Sequence, residues 1–179
     1  MHIKYKEYAF DRYIDNREIE NKCRELAKKI NISYKGEIVV FVGVLNGCIP
    51  FMSTLLKYIE IPYKYNFIRV ASYDGIQSKE LKMHLDIYEN NVKNENIIVV
   101  EDIVDSGKTI KFIEKHINKM NPKSYKVISL LTKVDVSKII DWYGFIIDDK
   151  FVIGYGMDID NNYRYLKDIY ILNEKEAEK

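Results

Sequence analysis

Residues 97–110 read IIVVEDIVDSGKTI. Four consecutive β-branched apolar residues, Ile97 to Val100, suit a parallel strand covered on both faces. Three acids follow, Glu101, Asp102 and Asp105, with Ile103 and Val104 between them, and then Ser106-Gly107-Lys108-Thr109. Beyond these, Ile110, Ile113, Ile117 and Met120 recur at helical intervals until Asn121-Pro122 ends the run. The order is therefore strand, acidic loop, helix. A glycine and successive backbone N–H groups at a helix N-terminus, from Asp105 to Thr109, make a natural cradle for a phosphate, with the Ser106 and Thr109 hydroxyls beside it.

Glu101 and Asp102 cannot serve that anion. Adjacent carboxylates at a strand end instead accept hydrogen bonds from vicinal hydroxyls, such as those of ribose 5-phosphate, or help to hold a hydrated divalent cation. A plain acidic turn before a capped helix would account for Asp105 or Ser106, but not for two further acids next to a buried strand. Gly107-Lys108-Thr109 matches the end of the nucleotide-binding pattern G-x-x-x-x-G-K-[ST], yet Asp102 stands where its first glycine belongs. The neighbouring acids would also repel a triphosphate laid along the loop.

The rest of the chain repeats the strand–helix alternation. Asp15 and Glu18 have capping-box spacing, Ile14 and Ile19 can form the accompanying staple, and Ile19, Cys23, Leu26 and Ile30 mark one face of a first helix. Residues 38–44, IVVFVGV, form a second buried strand, broken by Asn46-Gly47 before Pro50 opens a helix. Tyr63 to Val70 and Tyr125 to Leu131 read as further strands, and the polar stretch Ser72 to Lys82, without a period, as a mobile loop. The pattern predicts an α/β domain with a mainly parallel central sheet flanked by helices, and ligands at the carboxyl ends of its strands.

Composition narrows the function classes. A length of 179 residues suits one domain spanning 1–179, with a frayed tail from Asn173 to Lys179. The 28 basic and 27 acidic side chains leave a formal charge of +1, so no whole-molecule field points to nucleic acid or an anionic membrane. The longest apolar run, Ile38 to Leu45, is far short of the about 20 residues that a membrane span needs. Cys23 and Cys48 lack both the spacing of a disulfide framework and that of a zinc site, which fits a reducing cytoplasm.

VVEDIVDSGKTI resembles the phosphoribosyl-pyrophosphate-binding motif of type I phosphoribosyltransferases. LNGC, ASYDG, LLTK and DDKFVIGYGMDIDNNYRYL extend the resemblance to the hypoxanthine-guanine phosphoribosyltransferases, from about Val39 to Leu172. The resemblance implies the type I fold, with a small hood subdomain over the base site. It also implies a purine-salvage enzyme that moves the 5-phosphoribosyl group from phosphoribosyl pyrophosphate to hypoxanthine and/or guanine, with Mg2+ as cofactor and a homodimer or homotetramer as assembly. A xanthine-guanine-preferring transferase and, from another class, an RNA-binding regulator on the same fold are the alternatives. The regulator would need a clustered basic face, and the near-neutral composition and the lack of a Lys/Arg run speak against it.

On these motifs the resemblance assigns phosphoribosyl pyrophosphate to Glu101, Asp102, Asp105, Ser106, Gly107, Lys108 and Thr109. Leu45-Asn46-Gly47 resembles the pyrophosphate loop, with a cis Leu45–Asn46 bond implied and Asn46 where lysine is usual. Ser72-Tyr73 resembles the start of a lid, and Arg164 the arginine that neutralises pyrophosphate. For the purine, Lys133 is expected to donate to O6, since an ammonium has only donors and would oppose the amino group of adenine. Phe151 is expected to stack on the base, Ile103 to cover its other face, Val152 to bond the ring through its backbone, and Asp158 to lie near the base and metal. Glu101, Asp102 and Asp158 are the implied metal acids, and Asp105 is the candidate general base.

Overall fold

The computed structural model describes residues 2–74, 79–133 and 139–173. Its centre is a sheet of six strands: β3 (Val39–Val44), β4 (Tyr63–Asp74), β5 (Lys79–Leu85), β6 (Asn96–Val104), β7 (Ser124–Lys133) and β8 (Trp142–Ile147). The spatial order is β5-β4-β3-β6-β7-β8. β3 pairs in parallel with β4 and β6, β6 with β7, and β7 with β8, while β5 runs antiparallel to β4.

The uninterrupted apolar strands follow from two-sided burial. All six residues of β3 are buried. Side chains alternate along a strand, so Val39 and Phe41 join the cluster with Ile19, Leu26 and Ile30 of α1 (Asn16–Ser33) and Phe51 and Leu55 of α2 (Cys48–Leu56). Val40, Val42 and Val44 join Ile110, Ile113 and Ile117 of α3 (Lys108–Asn118) on the opposite face. Each such side chain contributes roughly 1.5–3 kcal/mol by leaving water.

The predicted cap of α1 is present. Asp15 accepts from the Arg17 and Glu18 amides at 2.8 and 2.9 Å, and Glu18 returns a bond to the Asp15 N–H at 3.1 Å.

Four predicted boundaries are corrected. β6 does not stop at Val100 but runs to Val104, because β7 continues beside it, with Glu101 opposite Ser129 and Val104 opposite Thr132. Glu101 and Asp102 thus sit in the strand, while Asp105 follows it. Of the stretch predicted as a mobile loop, residues 72–74 and 79–82 instead belong to β4 and β5 and pair antiparallel, Ser72 opposite Leu81 and Tyr73 opposite Glu80. The rest of that loop, residues 75–78, lies outside the described residues. α2 begins at Cys48, two residues before Pro50, and α3 ends at Asn118, where bonds from Lys119 to His116 and from Met120 to Ile117 tighten its end before Asn121 turns to a positive φ of 54°.

The second sheet was expected only as a hood. β1 (His2–Tyr5), β2 (Tyr8–Ile14), β9 (Val152–Ile153) and β10 (Ile169–Leu172) form it in the order β1-β2-β10-β9, all antiparallel. Phe10, Ile153 and Tyr170 are its own buried centre, while Ile14, Val152 and Ile169 belong to the core cluster of the large sheet. Asn173, assigned to the frayed tail, is tied to β2 through its N–H to the Ala9 carbonyl at 2.8 Å and its side chain to Asp11 at 2.7 Å. Residues 174–179 lie outside the described residues.

Candidate active site

β3 and β6 are parallel neighbours, so the loops that leave their carboxyl ends open on the same side of the sheet. Between them lies a cavity of about 320 Å³, lined by Leu45, Asn46 and Gly47 from the first loop, by Glu101 to Val104 at the end of β6, by Asp105 to Gly107 of the second loop with Thr109 and Ile110 of α3, and by Arg164. Gly107 occupies the N-cap of α3 with φ 72°, a left-handed conformation that glycine adopts without strain. No side chain caps this helix, so its first amides remain available to an anion. Thr109 lines the cavity as expected, whereas Lys108 is exposed and is absent from its lining.

The Leu45–Asn46 peptide is cis, as the resemblance implies. Gly47 is placed against the acids: a Cβ built on it would stand 1.7 Å from an Asp102 carboxylate oxygen. Only a residue without a side chain lets this loop approach β6 so closely.

Glu101 is 8% exposed and Asp102 9%. Burial pushes the Glu101 carboxyl well above the usual carboxylate range, and the neighbouring Asp102 charge pushes it further. Burial also raises Asp102, against hydrogen bonds from Glu101 and the Ile103 amide and the charge of Arg164, which favour its ionised form. Two acids so placed are short of positive charge, and the described protein supplies only Arg164 against it.

A second cavity of about 400 Å³ shares Asp102, Ile103 and Asp105 with the first and continues over Lys133, Phe151, Val152 and Asp158. Every residue predicted to contact a purine therefore faces one space. Phe151 is 48% exposed and leans on Phe10 with ring centroids 6.3 Å apart, so it presents an open aromatic face and is not core packing. The Lys133 ammonium, on a side chain only 18% exposed, pairs with Asp105 at 2.7 Å and also with Asp149. Burial alone would lower its pKa, but the two carboxylates outweigh that and raise it.

Arg164 and Asp158, predicted separately for pyrophosphate and for metal, meet each other. An Arg164 amine lies 2.5 Å from an Asp158 oxygen, and another donates to the Gly156 carbonyl at 2.7 Å. Asp158 also accepts from the Asn161 amide at 2.7 Å. This turn holds the guanidinium at the edge of the first cavity while its carboxylate lines the second.

A sequence model of the phosphoribosyl transferase domain matches residues 10–160. The chain belongs to the phosphoribosyltransferase family. Among its relatives, the bifunctional protein TilS/HprT of Listeria innocua is 36% identical over 164 residues, which cover 89% of this chain but 25% of that protein. The chain thus spans about a quarter of the length of that relative. The hypoxanthine-guanine phosphoribosyltransferase of Bacillus subtilis is 34% identical over 89% of this chain and 91% of its own. A crystal structure of a hypoxanthine-guanine phosphoribosyltransferase from Bacillus anthracis superposes with a TM-score of 0.84, at 35% identity, over 90% of this chain and 97% of that one.

Within this phosphoribosyltransferase, no group of three or more metal-ligating side chains is assembled among the described residues, so Asp158 does not join Glu101 and Asp102 in one cluster. The donor set fits a cation that takes one or two carboxylates and completes its shell with water and substrate phosphates, as Mg2+ does. Ser72 and Tyr73 lie near the end of β4, and their side chains lie outside what the structure describes. Sequence reasoning missed Asp149, Lys150 and Met157, which complete the second cavity. Asp148-Asp149, a pair of acids directly before Lys150-Phe151, was the available signal.

Proposed function

We propose that the chain transfers the 5-phosphoribosyl group of phosphoribosyl pyrophosphate to hypoxanthine and/or guanine, giving IMP or GMP and pyrophosphate. One observation carries this reading: Asp105 lines both the phosphate-side and the base-side cavity. The bond from the anomeric carbon to pyrophosphate breaks, a purine nitrogen bonds to that carbon, and Asp105 takes the proton the nitrogen carried. Amides of the Leu45–Gly47 loop and Arg164 receive the charge of the leaving pyrophosphate, which is electrostatic stabilisation by groups already in place. Bound Mg2+ would supply further neutralisation of the pyrophosphate, with Glu101 and Asp102 as its protein anchors. Lys133 selects an oxo group, and Phe151 and Ile103 enclose the ring.

The whole of residues 1–179 acts as one domain in this reading, supported by the core cluster that runs through both sheets. A homodimer or homotetramer is supported by the exposed apolar side chains Ile49, Tyr63 and Tyr65 around one shallow groove, and sedimentation velocity reads the assembly directly. A cytoplasmic location is supported by two buried free cysteines. Among the described residues no helix is long and apolar enough to cross a membrane.

The test is nucleotide formation from hypoxanthine, guanine, xanthine and adenine, each with phosphoribosyl pyrophosphate and Mg2+. Product from hypoxanthine or guanine and none from adenine is expected, and xanthine as the preferred base would shift the assignment to the xanthine-guanine branch. Asp105→Asn should lower kcat roughly a hundredfold to ten-thousandfold, the usual worth of a general base, while leaving phosphoribosyl-pyrophosphate binding nearly intact.

A further inference from the structure

Lys133 is the last residue of β7 and stands opposite Ile147 of β8. After Ile147 the chain makes a tight turn, closed by the Lys150 amide on the Asp148 carbonyl at 2.8 Å, before β9 begins. Asp149 is at the apex of that turn, and its carboxylate reaches the Lys133 ammonium, which also pairs with Asp105 of the β6–α3 loop. The partners differ in burial: the Asp149 side chain is 89% exposed, that of Lys133 18%. An ion pair with so exposed a member contributes little to stability, so the contact is better explained by what it does to the lysine.

An ammonium has three N–H donors and tetrahedral geometry. One N–H donates to Asp149 and the ammonium is also ion-paired with Asp105 at 2.7 Å, so two contacts from different parts of the chain hold it. With only Asp105, the ammonium could swing about a single contact on its flexible stem. Asp105 is also the group proposed to accept the purine proton. A lysine resting on Asp105 alone would hold that carboxylate in an ion pair, away from the purine. A second carboxylate keeps the ammonium neutralised and in place while Asp105 turns to the purine.

Resting on the transferase reading above, we propose that Asp149 is a positioning residue for base selection, fixing the Lys133 ammonium so that its uncommitted N–H meets the purine oxo group and Asp105 is released for proton transfer. Its effect is confined to the base and the chemical step, since Asp149 does not line the phosphate-side cavity.

The experiment compares wild type, Asp149→Asn and Asp149→Glu in steady-state assays with hypoxanthine and phosphoribosyl pyrophosphate varied in turn. Asp149→Asn should raise the KM for hypoxanthine about tenfold, the scale of one charge-assisted hydrogen bond, and lower kcat severalfold. The KM for phosphoribosyl pyrophosphate should stay unchanged, and Asp149→Glu should recover most of the loss. Acylation of Lys133 by a water-soluble active ester, followed by mass spectrometry, should be faster in Asp149→Asn, because the amine is less held. Wild-type kinetics in Asp149→Asn, or equal increases in both KM values, would overturn the positioning role and leave the transferase assignment standing. A wild-type protein that makes no nucleotide from any 6-oxopurine would overturn both.

Discussion

At Gly47 the requirement is a single atom wide. A Cβ there would meet Asp102 at 1.7 Å, far inside contact distance, and neither neighbour can retreat freely, since Asp102 sits in β6 and is buried. Gly47→Ala should therefore displace the Leu45–Gly47 loop from the acids. The expected result is a fall of at least a hundredfold in kcat/KM for phosphoribosyl pyrophosphate, with a stability loss of about 1–3 kcal/mol, typical of forced overpacking. Kinetics and a urea melt on the same preparation check both, and near-normal kcat/KM would mean that the loop contact is dispensable. Gly47, Asp105, Lys133 and Phe151 were legible in the sequence because each lies in a short motif whose order survives in the chain. Asp149 was marked only by the Asp148-Asp149 pair, because its partner is sixteen residues away in sequence and local spacing does not show that a turn folds one onto the other. The pairing of Arg164 with Asp158 escaped for a related reason: the motif named two binding residues but carried no information that they would neutralise each other.

Elements were legible in proportion to how local their causes are. α1 is specified by its own residues: an Asp15 and Glu18 box at the start and an apolar stripe of Ile19, Cys23, Leu26 and Ile30. Asp15→Ala should remove two side-chain bonds to the Arg17 and Glu18 amides and cost about 1 kcal/mol, the usual worth of an N-cap. In urea the midpoint should fall while the slope m is unchanged, since the surface exposed on unfolding is the same, and catalysis should be unaffected because the cap lies outside both cavities. An unshifted midpoint would falsify the capping assignment. β3 was legible for the same local reason, a continuous apolar run. β6 was cut short because glutamate and aspartate are poor strand formers, and only the extended neighbour β7 keeps Glu101 and Asp102 in the ladder. The hood was the least legible part: β9 has two residues, β10 has four, and β2 pairs with β10 from the far end of the chain. Such strands exist through distant partners, which periodicity within a segment cannot reveal.

On the scale of the whole molecule, the site is held together from three separate stretches of chain, the loop after β3, the end of β6 with the start of α3, and the turn carrying Asp158 and Arg164. Anything that binds all three binds the folded state alone and stabilises it by RT ln(1 + [L]/Kd), about 2.7 kcal/mol at a ligand concentration of 100 times Kd. The electrostatics make this stabilisation cooperative between anion and cation. In the proposed reaction pyrophosphate approaches Arg164 and the Leu45–Gly47 amides, but also Glu101 and Asp102, which are buried together and poorly solvated. A divalent cation alone meets acids that burial holds toward their protonated forms, and it lacks the phosphate oxygens needed to complete its shell. Phosphoribosyl pyrophosphate with Mg2+ should accordingly raise Tm by several degrees, while either one alone, the nucleotide precursor in EDTA or Mg2+ without it, should give a small part of that shift. Differential scanning calorimetry separates the three conditions. A full shift in EDTA would show that the amides and Arg164 suffice, and would remove Glu101 and Asp102 from cation binding. In that event the two acids would be left to the ribose hydroxyls, and Glu101→Gln would be expected to weaken the sugar contact without altering any dependence on Mg2+.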